Sequence, residues 1–361
     1  MQTGIIGLPY SGKSTILNTI TGSNYETGLS ATQTSPNIGV AHVPDGRLDH
    51  LTEIYKPKKT INAELIFSEI PSKQDGEIFS GENISHLQQL DALIIVVRAF
   101  KNQSVPHISG SIDFERDLEK ITFDLLFSDI NLIEKRILKI QDSFRGMKSS
   151  DRDKANKTIE TLKNIQSDIE KGIPIRSMDL SDHKKLALSD TFLISSLPLM
   201  VIINIDENDI ENSSIIHDKA IEIINEKANE SAVICAELEE EISKLLDEDQ
   251  DEMRKELNIE VSGLERAIQL TYASLGLISF ITVGEDEVRA WTIKANTTAQ
   301  KAASAIHSDI AKGFIRAEVV SYNDYIKYNS MVEIKNKGLL RKEGKEYTIK
   351  DGDIVNYLFS V

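Results

Sequence analysis

The sequence predicts an α/β fold. It comprises a domain with a mostly parallel sheet, an inserted antiparallel helical hairpin, and a small C-terminal α+β domain. Three observations carry this. Short apolar runs alternate with helical patterns in the first part of the 361-residue chain, as in a parallel sheet covered on both faces. Leu126, Ile130, Ile133, Ile137, Ile140, Phe144 and Met147 then recur at alternating spacings of four and three, a heptad seam. From Gly276, β-rich runs around one Ala-rich helix replace both patterns.

Taken in order, Ile5-Ile6, Val40-Ala41 and residues 63–67, 92–97 and 199–203 read as short buried strands. Residues 14–20 are helical, with Gly22 placed to end the helix. Residues 113–183 are helical, with 149–156 as a polar turn and Ile159, Leu162, Ile165 and Ile169 continuing the seam on the return helix. Residues 213–229 form a helix, 232–236 a last strand of the first sheet, and 237–256 a very acidic helix. Gly263–Ser274 is amphipathic and helical. Leu277–Val283 and residues 288–293 form a hairpin, and residues 298–311 form a helix stopped by Gly313. Residues 314–320 form a strand, and residues 347–349 and 354–359 flank an Asp351-Gly352 turn. The expected division is 1–112 with 190–275, then 113–189, then 276–361.

Lys and Arg total 41 against 57 Asp and Glu, a net charge of −16. Such a surface does not coat nucleic acid as a whole. Residues 276–361 carry 12 basic and 11 acidic residues, so the acidity belongs to the rest of the chain. The single Cys235 excludes a disulfide framework and a Cys-rich zinc site, and it points to a reducing, cytoplasmic setting. No pair of His residues has metal-ligand spacing. His307, beside Ser308-Asp309, reads as a helix-face residue, and Trp291 as core. Residues 1–20 lack the form of a signal peptide. No apolar run reaches the roughly 20 residues that span a bilayer, so no membrane association is expected.

The sharpest motif is Gly7-Leu8-Pro9-Tyr10-Ser11-Gly12-Lys13-Ser14-Thr15, which matches G-x-x-x-x-G-K-[ST]. Its glycines let backbone N–H groups wrap a polyphosphate, and the following helix offers its positive end. Lys13 reaches the β/γ oxygens and the Ser14 hydroxyl is a Mg²⁺ ligand. Asn204-Ile205-Asp206-Glu207 follows a strand where GTPases carry Asn-Lys-x-Asp. Glu207 is one methylene longer than that Asp, and Ile205 removes the Lys stem over the base. Adenine is therefore favoured over guanine. Cys235-Ala236, after the next strand, offers a backbone contact to the base.

Together these motifs resemble the YchF-type, Obg-like ATPase family over nearly the whole chain. The resemblance also rests on Pro36-Asn37-Ile38-Gly39-Val40, Val43-Pro44-Asp45-Gly46-Arg47-Leu48, the stretch 284–293, Ile306-His307-Ser308-Asp309, Lys312-Gly313-Phe314-Ile315-Arg316-Ala317-Glu318 and Asp351-Gly352-Asp353-Ile354. It implies a P-loop G domain, a coiled-coil-like insert and a β-grasp TGS-like domain. It implies Mg²⁺-dependent ATP hydrolysis and association with the ribosome, through its large subunit or as a whole, with the TGS-like domain on ribosomal RNA and the protein a monomer. In Val105-Pro106-His107-Ile108, His107 matches the family's proposed water-orienting residue.

The departures lie next to the chemistry. Tyr10-Ser11 replaces an Asn-Val implied to help hold a monovalent cation. Gln33 stands at the switch I Thr, so a neighbour, Thr32 or Thr34, supplies the Mg²⁺ hydroxyl, with Thr34 counted among the metal ligands. Glu69-Ile70-Pro71-Ser72 replaces Asp-Ile-Ala-Gly, and the following glycine-rich stretch is shortened. Glu69 still offers Mg²⁺ a carboxylate, while Ser72 loses the freedom of Gly. A slow ATPase switch is expected. The alternatives are a nucleotide-sensing ribosome-binding module with little hydrolysis and, more weakly, a GTP-binding protein.

Overall fold

The computed structural model describes residues 1–27, 35–146, 148–224, 230–257 and 262–360. Along the chain run β1 (Gln2–Ile6), α1 (Lys13–Thr21), β2 (Asn37–His42), α2 (Gly46–Tyr55), β3 (Lys59–Ile61), β4 (Glu64–Glu69), α3 (Gly81–Leu87) and β5 (Ala92–Arg98). Next come α4 (Phe114–Asp142), α5 (Ser149–Glu170), α6 (Asp182–Leu188), β6 (Leu199–Asn204), α7 (Ser213–Ile224), β7 (Glu230–Ile234), α8 (Ala236–Ser243), α9 (Asp247–Glu256) and α10 (Gly263–Ser274). The rest is β8 (Leu277–Val283), β9 (Glu287–Lys294), α11 (Ala299–Ile306), α12 (Ser308–Lys312), β10 (Phe314–Ser321), α13 (Tyr322–Tyr325), α14 (Met331–Asn336), β11 (Arg341–Glu343) and β12 (Asp353–Phe359).

Contacts divide the chain into two units, Met1–Gly39 with Ile66–Ala267 and Val40–Leu65 with Ile268–Val361. The first sheet has the order β2-β4-β1-β5-β6-β7. The pairs β1–β4, β1–β5, β5–β6 and β6–β7 are parallel. Every residue of β5 and β6 is buried, which is why both read as apolar runs, rather than alternating ones, up to their closing Arg98 and Asn204. Parallel pairing brings the C-terminal ends of β1, β4, β5, β6 and β7 to one edge, where ligands of open α/β sheets bind.

The helical hairpin shares a core with this sheet. Ile133, Ile137, Ile159, Leu162, Ile165 and Ile169 belong to the same buried cluster as Ile95, Val97, Val201 and Ile203. The buried Asp129 of α4 accepts hydrogen bonds from Ile194 N (2.7 Å) and Ser195 N (2.8 Å) just before β6. The stretch read as a polar turn, 149–156, is instead the start of α5. Ser and Asp suit a helix start as well as a turn. Met147 of the seam lies outside the described residues.

The acidic stretch 237–256 is two helices rather than one. A continuous helix would hold residues 239 and 254 about 22 Å apart at 1.5 Å per residue. The break lets Arg254 Nη1 reach Glu239 Oε2 at 3.4 Å. The buried Glu239 carboxylate also accepts from Ser262 Oγ (2.8 Å) and Gly263 N (2.7 Å). Residues 235–236, assigned to a strand, instead cap and open α8.

In the second unit the sheet runs β11-β10-β12-β8-β9-β3. The hairpin β8–β9 forms as expected. One face buries Phe280, Ile293 and Val355 against Ala299, Ala302 and Ala303 of α11. Trp291 packs at the edge of that core, with the Arg289 guanidinium 3.9 Å from its ring centroid. On β8 and β9 the sheet also meets α2. The segment 40–65, placed by the sequence with the phosphate loop, thus supplies α2 and the edge strand β3 to the unit that holds the C-terminal residues. Arg47 fastens it, bonding Asp45 Oδ2 at 2.8 Å and Asp351 Oδ2 at 2.7 Å.

The Asp351-Gly352 turn forms as expected, with Gly352 at φ +77° and Asp353 N donating to Lys350 O at 3.1 Å; Asp351 Oδ1 accepts from Ser279 N at 2.9 Å, and β12 pairs with β10 and β8. One local expectation differs here. Residues 298–311 form two helices, because His307 is extended (φ −162°) and its Nδ1 accepts from Asp309 N. His307 is therefore a cap between helices, not a residue on a helix face.

Candidate functional site

The loops leaving β1, β4, β5, β6 and β7 line one cleft of about 670 Å³ within the first unit. That volume lies in the range of small-molecule sites. The phosphate loop forms one wall through Pro9, Tyr10, Ser11, Gly12, Lys13, Ser14 and Thr15. Gly12 has φ +96°, and a Cβ there would stand 2.2 Å from Asn204 Nδ2, so only glycine fits. Gly7 and Leu8 lie behind the wall and present their carbonyls to Lys13 Nζ at 3.1 and 3.0 Å. Among the described residues no side chain caps α1, which leaves its first N–H groups for an anion.

Lys13 is buried, and burial lowers its pKa to about 8, with Glu69 opposing the shift. Its Nζ also donates to Ser72 Oγ at 3.3 Å. Ser14 Oγ donates to Glu69 Oε1 at 2.7 Å, and Asn37 Nδ2 to Glu69 Oε2 at 3.0 Å. A hydroxyl beside a carboxylate, next to a phosphate loop, is the hard-oxygen donor set that Mg²⁺ takes together with water and phosphate. The Glu69 and Ser14 placements therefore fit the ion. Thr34, the third residue assigned to the metal, lies outside the described residues, as do Thr32 and Gln33.

At the other end, Asn204 is buried and ties three loops together. Its Nδ2 donates to Ser11 O (3.1 Å), its Oδ1 accepts from Ala236 N (3.0 Å), and its backbone oxygen accepts from Ala99 N (2.7 Å). Its amide holds protein in place at both ends. Ile205, Asp206 and Ala236 line the cleft, whereas Glu207 and Cys235 are not among its walls. Asp206 caps the short helical turn Glu207–Asn212 through Asn208 N, and Glu207 is exposed. The Cys235 thiol precedes α8, and burial pushes its pKa up.

His107 is not brought to the cleft. Its side chain is 4% exposed, with Nε2 2.9 Å from Asp117 Oδ2 and Nδ1 accepting from Ser109 N at 3.2 Å. Asp117 is itself buried and also takes Arg116 Nη2 at 2.9 Å. A buried carboxylate needs such partners, and His107 supplies one.

Sequence reasoning passed over Arg98. Its side chain ends an otherwise apolar strand, is 2% exposed, and donates to the carbonyls of Phe100 (3.2 Å), Asn102 (3.2 Å) and Val105 (3.0 Å). Those bonds shape the loop that gives Phe100, Lys101, Asn102 and Val105 to the cleft. A lone Arg closing a strand of Leu, Ile and Val was the available signal.

Residues 277–360 match the family model YchF-GTPase_C, described as a protein of unknown function (DUF933). The "Ribosome-binding ATPase YchF" of Bacillus subtilis (strain 168) is 36% identical over 369 residues, covering all of both chains. The protein of the same name from Escherichia coli O157:H7 is 36% identical over 365 residues, covering 100% of this chain and 99% of its own. The solved structure of the Schizosaccharomyces pombe YchF GTPase superposes with a TM-score of 0.84 at 28% identity, covering 99% of this chain and 97% of that one.

Proposed function

This chain belongs to the YchF family, and from that premise we propose that it is a Mg²⁺-dependent, ribosome-binding ATPase that turns over slowly. One observation carries the reading: Lys13, Ser14 and Glu69 converge in a cleft sized for a nucleotide, behind an uncapped helix N-terminus. Lys13 binds the β/γ oxygens and releases its loop carbonyls to do so. The N–H groups that open α1 hold the phosphates from below. Ser14 and Glu69 would hold Mg²⁺, which when bound neutralises phosphate charge. Phe100 and Ile205 give the base apolar walls, and Asn204 keeps the phosphate loop and the base loop in register.

The two bacterial relatives are ribosome-binding ATPases by name, and the ribosome is the partner proposed for this chain. The charge distribution supports the same partner: residues 276–361 are near neutral while the remainder is strongly acidic, so the terminal part suits an approach to ribosomal RNA. The functional division is 1–112 with 190–275, then 113–189, then 276–361, except that 40–65 packs in the same unit as the last of them.

A second reading, nucleotide sensing with little hydrolysis, is favoured by the position of His107 against Asp117. Single-turnover hydrolysis of pre-bound ATP separates the two. Slow conversion to ADP, reduced about tenfold or more in His107→Ala, is the result expected of the ATPase with His107 as its water-orienting group. An unchanged rate in the variant removes His107 from that role. No conversion before ATP dissociates establishes the sensing module.

A further inference from the structure

The loop after β4 replaces a glycine-rich switch with a built turn. The buried Asn83 donates to Pro71 O and Ile78 O, both at 2.7 Å, and so clamps the two ends of 71–78. Inside, Lys73 N donates to Glu77 O (3.0 Å) and Gly76 N to Lys73 O (2.9 Å). Gly76 has φ +88°, and a Cβ there would meet Ile108 Cδ1 at 2.7 Å. Lys73 lines the nucleotide cleft, and its Nζ forms an ion pair with Glu77.

The cleft has a direction. Asn204 and Ala236 mark one end, and Ser72, bonded to Lys13 Nζ, marks the other. Lys13 serves the β/γ oxygens in such loops, so Ser72 and Lys73 stand beyond it, at the terminal phosphate. We propose that Lys73 is a substrate-binding residue for the γ-phosphate, exchanging Glu77 for that phosphate when a nucleoside triphosphate enters. This rests on the reading of the cleft as an ATP site. The exchange makes Lys73 and Glu77 a discriminator between tri- and diphosphate. Only the triphosphate places an anion at that end of the cleft to compete with the Glu77 carboxylate; both bonds are charge-assisted, and the higher charge of the terminal phosphate favours the exchange.

The test is calorimetric titration of the full chain with Mg²⁺ and either a non-hydrolysable ATP analogue or ADP. Lys73→Ala is expected to weaken the analogue about tenfold or more and to change ADP by less than about twofold, with Lys73→Arg retaining most of the difference. Glu77→Gln is expected to tighten the analogue, an effect of opposite sign that misfolding would not produce. Equal losses for both ligands in Lys73→Ala, or no loss for either, overturn the proposal while leaving the ATP reading intact. Failure of the unsubstituted chain to bind any nucleotide overturns both.

Discussion

Replacing Lys13 with Met is expected to abolish measurable ATP binding at micromolar ligand, a loss of about a hundredfold or more. Charge-assisted bonds to phosphate are worth about 1.5–3 kcal/mol each, and Lys13 serves two phosphoryl groups. The variant should fold at least as well as the unsubstituted chain. In the folded chain, burial holds the Lys13 pKa at about 8, below that of an unfolded lysine near 10.4. Keeping it charged therefore costs stability below about pH 8, and that cost fades as pH rises through this window. The same pKa governs ligand binding. Phosphate favours the charged amine, so ATP affinity should be level below about pH 8 and fall about tenfold per pH unit above it. Lys13→Met should lack that slope. Titrations from pH 7 to 9.5, with thermal melts of both proteins, check all three points. A variant that keeps ATP affinity contradicts the assignment.

Arg98→Ala is expected to cost about 3 kcal/mol or more and lower the melting temperature by about 5 °C or more. The substitution leaves the carbonyls of Phe100, Asn102 and Val105 without their donor and empties a buried volume beside the Phe100 ring, whose centroid lies 4.6 Å from the guanidinium carbon. Because the loop walls the cleft, ATP affinity should fall about tenfold as well. Arg98→Lys keeps the charge but not the fork, so it should recover little of either. An unchanged melt with unchanged affinity would show that the loop holds its shape without Arg98.

Gly7 to Thr15 was legible because its pattern is local: nine consecutive residues carry the turn, the cation and the hydroxyl. Residues 92–97 and 199–203 were legible because a strand buried on both faces leaves no polar position. The seam of the helical pair was legible for the same reason of periodicity. What escaped depends on distant partners. Nothing near residues 40–65 says that α2 covers β8 and β9, because the link is made by Arg47 and Asp351, 304 positions apart. The break after Ser243 brings Arg254 back to Glu239, a pairing 15 positions apart that no local pattern announces. Glu207 was read as a base reader from spacing alone, yet the cap made by Asp206 starts a turn that leaves Glu207 exposed. His107 looked free on a loop, and only the fold brings Asp117 to it. Spacing identifies residue types that can do chemistry, and tertiary structure decides which of them face the ligand.

The central claim is that the cleft takes ATP. Glu207 is not among the cleft walls, so the expected preference over GTP rests on Ile205, which lines the cleft where a Lys stem would cover the base. The most direct measurement is therefore calorimetric titration of the intact chain with ATP and with GTP, each with Mg²⁺ at pH 7. The account predicts one site per chain and tighter binding of ATP by about tenfold or more. Tighter binding of GTP, or heat from neither nucleotide, would contradict it.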